Sequence, residues 1–224
     1  MIDLWTVEQN FGNVQELHST QIEPNETSRI VVNNSESDAI VLGSSQLINI
    51  LNEDLIKRNG IQVTKRKSGG GLVYIKNQKD LWIDIFIPTS SKLSVQDLGE
   101  SFLWIGQVWL NVLQTLMPNT DFFIKKTKQT RNEISSLICF AGIGHGEIYI
   151  KQENLNQKIV GLSQRKTKSG SKIQCLVSGQ NQINSLLPYL NEKPQTENFK
   201  IKDTELPHNK KILKTFLKAL PNPI

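Results

Sequence analysis

The chain has 224 residues, is 38% hydrophobic and carries a formal charge of +5, so it is long enough to bury a substantial core. No apolar run approaches the roughly 18 residues that span a bilayer, and no basic segment leads into an apolar stretch at the start, so a cytoplasmic protein without a membrane anchor is expected. Cys139 and Cys175 are too few for a disulfide framework, and with the scattered His18, His145 and His208 they have no zinc-like spacing, so no metal site is expected.

Residues 29–33 and 39–42 are β-branched runs predicted as strands. Gly43-Ser44-Ser45 then caps a helix expected over 46–59, where Leu47, Leu51 and Leu55 recur every four positions and Asn59-Gly60 ends it. A short strand is expected at 62–64, followed by a glycine loop and by strands at 72–75 and 81–87 folded as a hairpin about 76–80. Ser94, with Asp97 three residues on, reads as a capping box for a long helix in which Leu98, Phe102, Ile105, Val108, Val112 and Leu116 recur at helical spacing. Trp104 and Trp109 on that helix are read as core. Strands follow at 135–140, 147–150, 159–162 and 173–177, and helices at 182–190 and 209–220. The expected fold is α+β, a mixed and mostly antiparallel sheet with helices packed on it. One domain over 1–224 is expected, with a core at about 28–180 and a helical extension at 181–224.

The basic residues cluster, at Lys57-Arg58 and within 65–67, 125–131 and 165–172, which suits a phosphate-bearing ligand, a nucleic acid or an acidic protein. Gly69-Gly70-Gly71 follows one of these clusters directly. Each glycine costs about 0.5–1 kcal/mol relative to alanine inside a regular element, so three in a row imply that the backbone itself is needed there. The loop lies between strands, which excludes a Walker loop or a dinucleotide fingerprint. What it offers is a row of N–H groups for phosphate or carboxylate oxygens, with Arg66 beside them, or else a glycine-rich hairpin with no ligand. Lys158, at a turn before a short apolar strand, can reach inward and set its ammonium on a phosphate or an activated carbonyl, or remain an ordinary turn lysine.

Taken together, Arg66-Lys67-Ser68-Gly69-Gly70-Gly71-Leu72-Val73 and Lys158-Ile159-Val160-Gly161-Leu162-Ser163-Gln164-Arg165 resemble, in order and separation, the catalytic domain of the biotin/lipoate protein ligase superfamily. Val41-Leu42-Gly43-Ser44-Ser45-Gln46 is similar to that family's first helix entry, and the resemblance covers roughly 28–180. It implies a class II synthetase-like fold and one tunnel for a fatty acid and its adenylate. In a lipoate-protein ligase, ATP and Mg2+ activate lipoate or octanoate as the acyl-adenylate, which the lysine of an acceptor lipoyl domain opens to an amide. The resemblance makes Lys158 the catalytic residue. It makes Arg66, Ser68, Gly69, Gly70, Gly71, Val73, Gly161, Ser163 and Gln164 the cofactor-binding set. Val73 and Ile85 are read either as walls for the acyl tail or, equally, as core. The implied partners are acidic lipoyl domains of dehydrogenase E2 subunits or the glycine cleavage H protein, and a separate accessory subunit, because the chain has room for only a fragment of the usual C-terminal domain.

The pattern departs from the family at two places. The histidine and Gly-Asn-Leu that often follow the third glycine are replaced by the segment from Tyr74 to Trp82, and the usual Asn-Asp by Gly144-His145-Gly146-Glu147. Both changes bear on magnesium and nucleotide contacts. Ile138-Cys139-Phe140 ahead of Lys158 is also similar to the cysteine-dependent octanoyltransferases, in which Cys139 would carry the acyl group as a thioester from acyl carrier protein or a lipoylated protein, without ATP. That branch usually reads Gly-Gly-Arg where this chain has a third glycine, so the ligase reading is favoured over the transferase. A biotin ligase fits less well, and a third reading is a non-catalytic acyl-binding homologue. Nucleic acid is not expected as a partner, since the basic clusters lack interleaved aromatic residues.

Overall fold

Every position of Leu81–Pro88 is buried, so this strand must be covered on both faces and paired along both edges. The computed structural model describes residues 5–23, 27–126, 133–152, 156–194 and 201–224. Residues 127–131 of the predicted basic cluster lie outside the described residues. In chain order the elements are β1 (Thr6–Gly12), α1 (Val14–Ser19), β2 (Arg29–Ser35), β3 (Ala39–Leu42), α2 (Glu53–Arg58), β4 (Gln62–Lys65), β5 (Val73–Ile75), β6 (Leu81–Pro88) and α3 (Leu98–Leu116). Then follow β7 (Phe122–Ile124), α4 (Glu133–Leu137), β8 (Ile148–Lys151), β9 (Asn156–Lys166), β10 (Gly170–Val177), α5 (Gln182–Leu186) and α6 (Asn209–Ala219).

The larger sheet has the order β1-β2-β6-β10-β9-β8-β7 and is antiparallel at every junction except β1 with β2. A smaller sheet, β4-β3-β5, joins β3 and β4 in parallel through α2 and pairs β3 with β5 antiparallel. This is an α+β fold with a mostly antiparallel sheet and helices packed on it, as expected. Among the described residues no helix is long and apolar enough to cross a membrane.

The two-residue period of β6 separates two interiors. Ile83, Ile85 and Ile87 face the main core with Ile30, Val32, Ile173 and Val177, beneath Ile105, Trp109 and Leu113 of α3 and Ile212 and Phe216 of α6. Trp109 stacks on Phe216 with ring centroids 4.2 Å apart, so its place is in the core. Ile85 belongs to this core and not to a ligand wall. Trp82 points the other way, into a smaller cluster with Val14, Leu17, Ala39, Val41, Ile75, Phe140 and Leu176 that lies between the two sheets. Asp84, fully buried, shares that second face. Lys172 meets it at 2.9 Å, Trp82 Nε1 donates to it at 2.8 Å and Gln174 Nε2 at 3.1 Å.

Several expectations are corrected by tertiary contacts. The helix expected over 46–59 is reduced to a 3-10 turn at Ile48–Ile50 and the six residues of α2. Asn52 breaks it, because its amide donates to Tyr189 O at 2.8 Å while its side chain caps Leu55 N at 2.9 Å. The hairpin expected about 76–80 keeps its turn, with Lys76 N donating to Asp80 Oδ2 at 2.7 Å, but its strands part. Both edges of β6 are taken by β2 and β10, so β5 pairs with β3 in the other sheet. The strand expected at 135–140 is instead α4 and a 3-10 turn at Cys139–Ala141, since only Ile138 finds a strand partner, Leu72. Asp97, not Ser94, caps α3, accepting from Glu100 N at 2.8 Å. The first strand and helix, β1 and α1, carried no sequence expectation.

Asp84→Asn leaves the Lys172 ammonium buried with no counter-charge, and breaking such a pair costs about 3–5 kcal/mol. A denaturant titration should show that loss as a lower midpoint with unchanged slope.

Candidate active site

The glycine loop is shaped from inside by a buried cation. Arg66, 6% exposed, donates through Nη2 to Gly69 O at 2.9 Å and Gly71 O at 2.8 Å, and through Nη1 to Val41 O at 3.4 Å. Burial pulls its pKa below the ordinary arginine value. Gly70 takes a φ of +104°, a conformation that favours glycine, and its carbonyl packs on Gly43 so closely that a Cβ on Gly43 would fall 1.8 Å from it. Gly71 abuts the backbone of Leu137 and Ile138, whereas Gly69 has nothing within 4 Å of a would-be Cβ. The three glycines therefore answer three different demands: close packing on α4, left-handed backbone, and an open face. Ser68 Oγ lies 3.0 Å from Ser163 Oγ and ties the loop to β9.

Beside this loop a cleft of about 660 Å³ opens between the sheets, walled by β9, β10, the turn at Cys139–Ala141 and the first residues of α3. Lys158 projects into it, and a bulge at Ile159 of β9, where the register steps between Ile148 and Tyr149 of β8, sets Tyr149 opposite Lys158. Lys158 Nζ lies 2.6 Å from Glu147 Oε2 and donates to Cys139 O at 2.8 Å. Tyr149 OH donates to the same Glu147 oxygen at 2.9 Å and accepts from Gly144 N at 2.8 Å, and burial raises its pKa above the usual phenol range. Gly161 leaves room for Phe140, whose ring would lie 2.8 Å from a Cβ there.

Val41, Val73, Ile75, Trp82 and Leu176 form the apolar stretch of the wall, with His18 beside them. The His18 ring lies against Trp82, centroids 4.4 Å apart, and Gln174 Nε2 is 3.3 Å from its Nδ1. Burial pulls the imidazole down to about 4, so it is neutral at physiological pH. Cys175 lies in the main core, where burial pushes the thiol up to about 12.

Of the residues singled out from the sequence, Lys158, Cys139, Arg66, Ser68, Gly69, Gly70, Val73, Gly161, Ser163 and Gln164 all line this one cleft, and Gly71 does not. The Oε1 of Gln164 is buried and has no hydrogen-bond partner among the described residues. Glu147, Tyr149, Phe140, Trp82, Gln174 and His18 were missed. Glu147 left a signal, because it stands directly before the apolar run Ile148-Tyr149-Ile150 as Lys158 stands before Ile159-Val160, and it bears the opposite charge. His18 left none.

Residues 8–217 match the model of the lipoyl protein ligase A/B catalytic domain, and the chain belongs to that family. Its fold is similar to that of a Thermoplasma acidophilum protein solved with lipoic acid bound, with a TM-score of 0.67 and 15% identity over 96% of this chain and 83% of the other. The bipartite lipoate protein ligase from the lipoylation system of the same archaeon aligns with a TM-score of 0.67 and 13% identity, covering 96% and 81%. A lipoate-protein ligase A solved with ATP aligns with a TM-score of 0.63 and 15% identity, covering 96% and 82%. At these identities the likeness is one of fold. No curated protein sequence matches the chain.

Gly43→Ala forces Cβ onto the Gly70 carbonyl and should cost about 1–3 kcal/mol by thermal or denaturant unfolding, while Gly69→Ala, in open space, should stay within about 0.5 kcal/mol of the parent. His18 also sets a pH dependence. Above its unfolded value of 6.5 both states are neutral; as the pH falls toward 4 the unfolded chain binds a proton that the folded chain refuses, and the stability from the neutral ring is lost. Asp80, which burial pushes up to about 7, runs the opposite way over much of that window. The readout is therefore the stability of the parent minus that of His18→Phe, which should fall between pH 6.5 and 4.

Proposed function

We propose that this chain is a lipoate-protein ligase-like enzyme that activates lipoate or octanoate with ATP and passes the acyl group to a lysine of a lipoyl domain. The observation that carries this reading is a cleft in which an apolar wall leads to a buried lysine and an exposed-backbone glycine loop. Its volume of about 660 Å³ suits a drug-sized ligand and exceeds what an eight-carbon acyl chain fills, leaving room for a nucleotide. The acyl carboxylate would attack the α-phosphorus of ATP and expel pyrophosphate. The acceptor amine would then attack the acyl carbon and expel AMP. Lys158 would stabilise the charge that develops on the phosphate and acyl oxygens, Gly69 and Gly70 would face the adenylate with their backbone, and Val73 would line the acyl tail.

The cleft carboxylates do not form a cage for magnesium. Glu147 is engaged with Lys158, Tyr149 and Leu162 N, Asp97 caps α3, and among the described residues no three histidine, cysteine or acidic side chains group to hold a metal. Magnesium belongs to this reading as the counter-ion that the triphosphate brings. Exposed Lys67 and Arg165, beside Ser68, would steer an acidic lipoyl domain of an E2 subunit or H protein toward the site, in the cytoplasm. A separate accessory subunit fits the same reading, since the archaeal ligase of this fold is bipartite.

Cys139 supports a second reading. Its thiol lines the same cleft, 3.7 Å from where a Cβ on Gly70 would lie, so it is placed to carry octanoyl as a thioester from acyl carrier protein. The test incubates the protein with lipoate or octanoate, ATP and magnesium, with and without an apo-lipoyl domain, following pyrophosphate and the acceptor's mass. The ligase reading expects pyrophosphate and the acyl mass gain, a drop on the order of 10²–10³ in rate for Lys158→Ala, and retained activity in Cys139→Ser. Acyl transfer from octanoyl carrier protein without ATP, abolished by Cys139→Ser, would move the chemistry to the thiol. No turnover from either donor would leave an acyl-binding homologue.

A further inference from the structure

Lys158 and Glu147 form a buried pair whose partners are almost fully accounted for. Their side chains are 2% and 5% exposed. Glu147 has both oxygens in use: Oε2 receives the Lys158 ammonium at 2.6 Å and Tyr149 OH at 2.9 Å, and Oε1 receives Leu162 N at 3.2 Å. Lys158 has one further acceptor, Cys139 O at 2.8 Å, and its ammonium lies 5.5 Å from the centre of the Phe140 ring. The carboxylate is thus clamped by two other donors and cannot follow the lysine if the lysine moves.

Such an amine stands beside the place where, on the reading proposed above, an activated acyl group forms or passes. It is itself a nitrogen nucleophile once deprotonated, and it lines the same cleft. An ammonium has no lone pair to attack with; the neutral amine does. We infer that Glu147 is a positioning residue that guards Lys158, holding its nitrogen as an ammonium and so keeping the site from acylating its own lysine. Without the carboxylate, the buried ammonium would lack a counter-charge, a state that proteins relieve by shedding the proton. The freed amine then attacks the acyl carbon, the leaving group departs with the bonding pair, the nitrogen loses a proton to water, and an amide remains on Lys158.

The experiment uses p-nitrophenyl octanoate, an activated ester that needs neither ATP nor an acceptor, on the full chain, with peptide mass spectrometry locating the octanoyl group. Glu147→Gln should be octanoylated at Lys158 about a hundredfold faster than the parent, and Glu147→Asp, which restores the charge, should return close to the parent rate. Lys172, buried against Asp84, gauges unfolding, because it reacts only if the fold opens. Equal labelling of Lys158 in the parent and Glu147→Gln with Lys172 untouched overturns the inference, as does Tyr149→Phe labelled as fast as Glu147→Gln, which would make packing and not charge the guard. If Glu147→Gln unfolds, side-chain 15N NMR of the parent decides, an ammonium at Lys158 supporting the inference and a neutral amine overturning it. Because the ester bypasses ATP and acceptor, failure of the lipoylation assay and failure of this one are separate results.

Discussion

A charge in the middle of a fully buried strand is the constraint from which much of this structure follows. Asp84 has hydrophobic neighbours on β6 and no exposure, and a lone carboxylate there would be prohibitive. Its neutralisation commits Lys172 of β10, its lone pairs commit Trp82 and Gln174, and Lys172 in turn donates to Thr20 O at 2.8 Å just beyond α1. One buried charge therefore fixes the register of β6 against β10, the tilt of the tryptophan that walls the cleft, and the docking of the N-terminal helix. Such networks specify one arrangement more than they add stability, because each member left unpaired is costly.

The cleft itself is built largely from backbone. Arg66 is held by carbonyls of β3 and of the loop, Gly43 and Gly70 touch main chain to main chain, and Gln46 bridges the loops by accepting from Gly43 N at 2.9 Å and donating to Leu137 O at 3.0 Å. A side chain can relax around a poor fit, but a carbonyl held by its neighbours cannot move without carrying its strand along. The loop is therefore a rigid floor, and the charged side chains of the site, Lys158 and Glu147, meet Tyr149 beside it at the bulge in β9.

How much of this was legible depended on how local the signal is. The long helix α3, the loop at Gly69 to Gly71 and an apolar strand at 159–162 are each written in consecutive residues, and those hold as elements of the fold. Lys158, however, expected at a turn before that strand, lies inside it, because pairing with β8 extends β9 back to Asn156. The hairpin about 76–80 was misread because nothing in the segment reveals that the better partners of β6 come from residues 29–35 and 170–177. Asn52 shows the same limit on a smaller scale. Its helix-breaking contact is with Tyr189, far along the chain, and propensity is weak against such a contact.

By itself, the sequence determined the α+β class, the core face of α3, and the two segments of the superfamily pattern, because period, capping and glycine runs act over a few residues. Only the tertiary structure decided that Glu147 faces Lys158, that His18 stacks on Trp82 beside the apolar wall, and that Gly71 serves packing and not the cleft. These depend on strand order and register across long separations. A single residue of slip in either would turn each side chain to the opposite face.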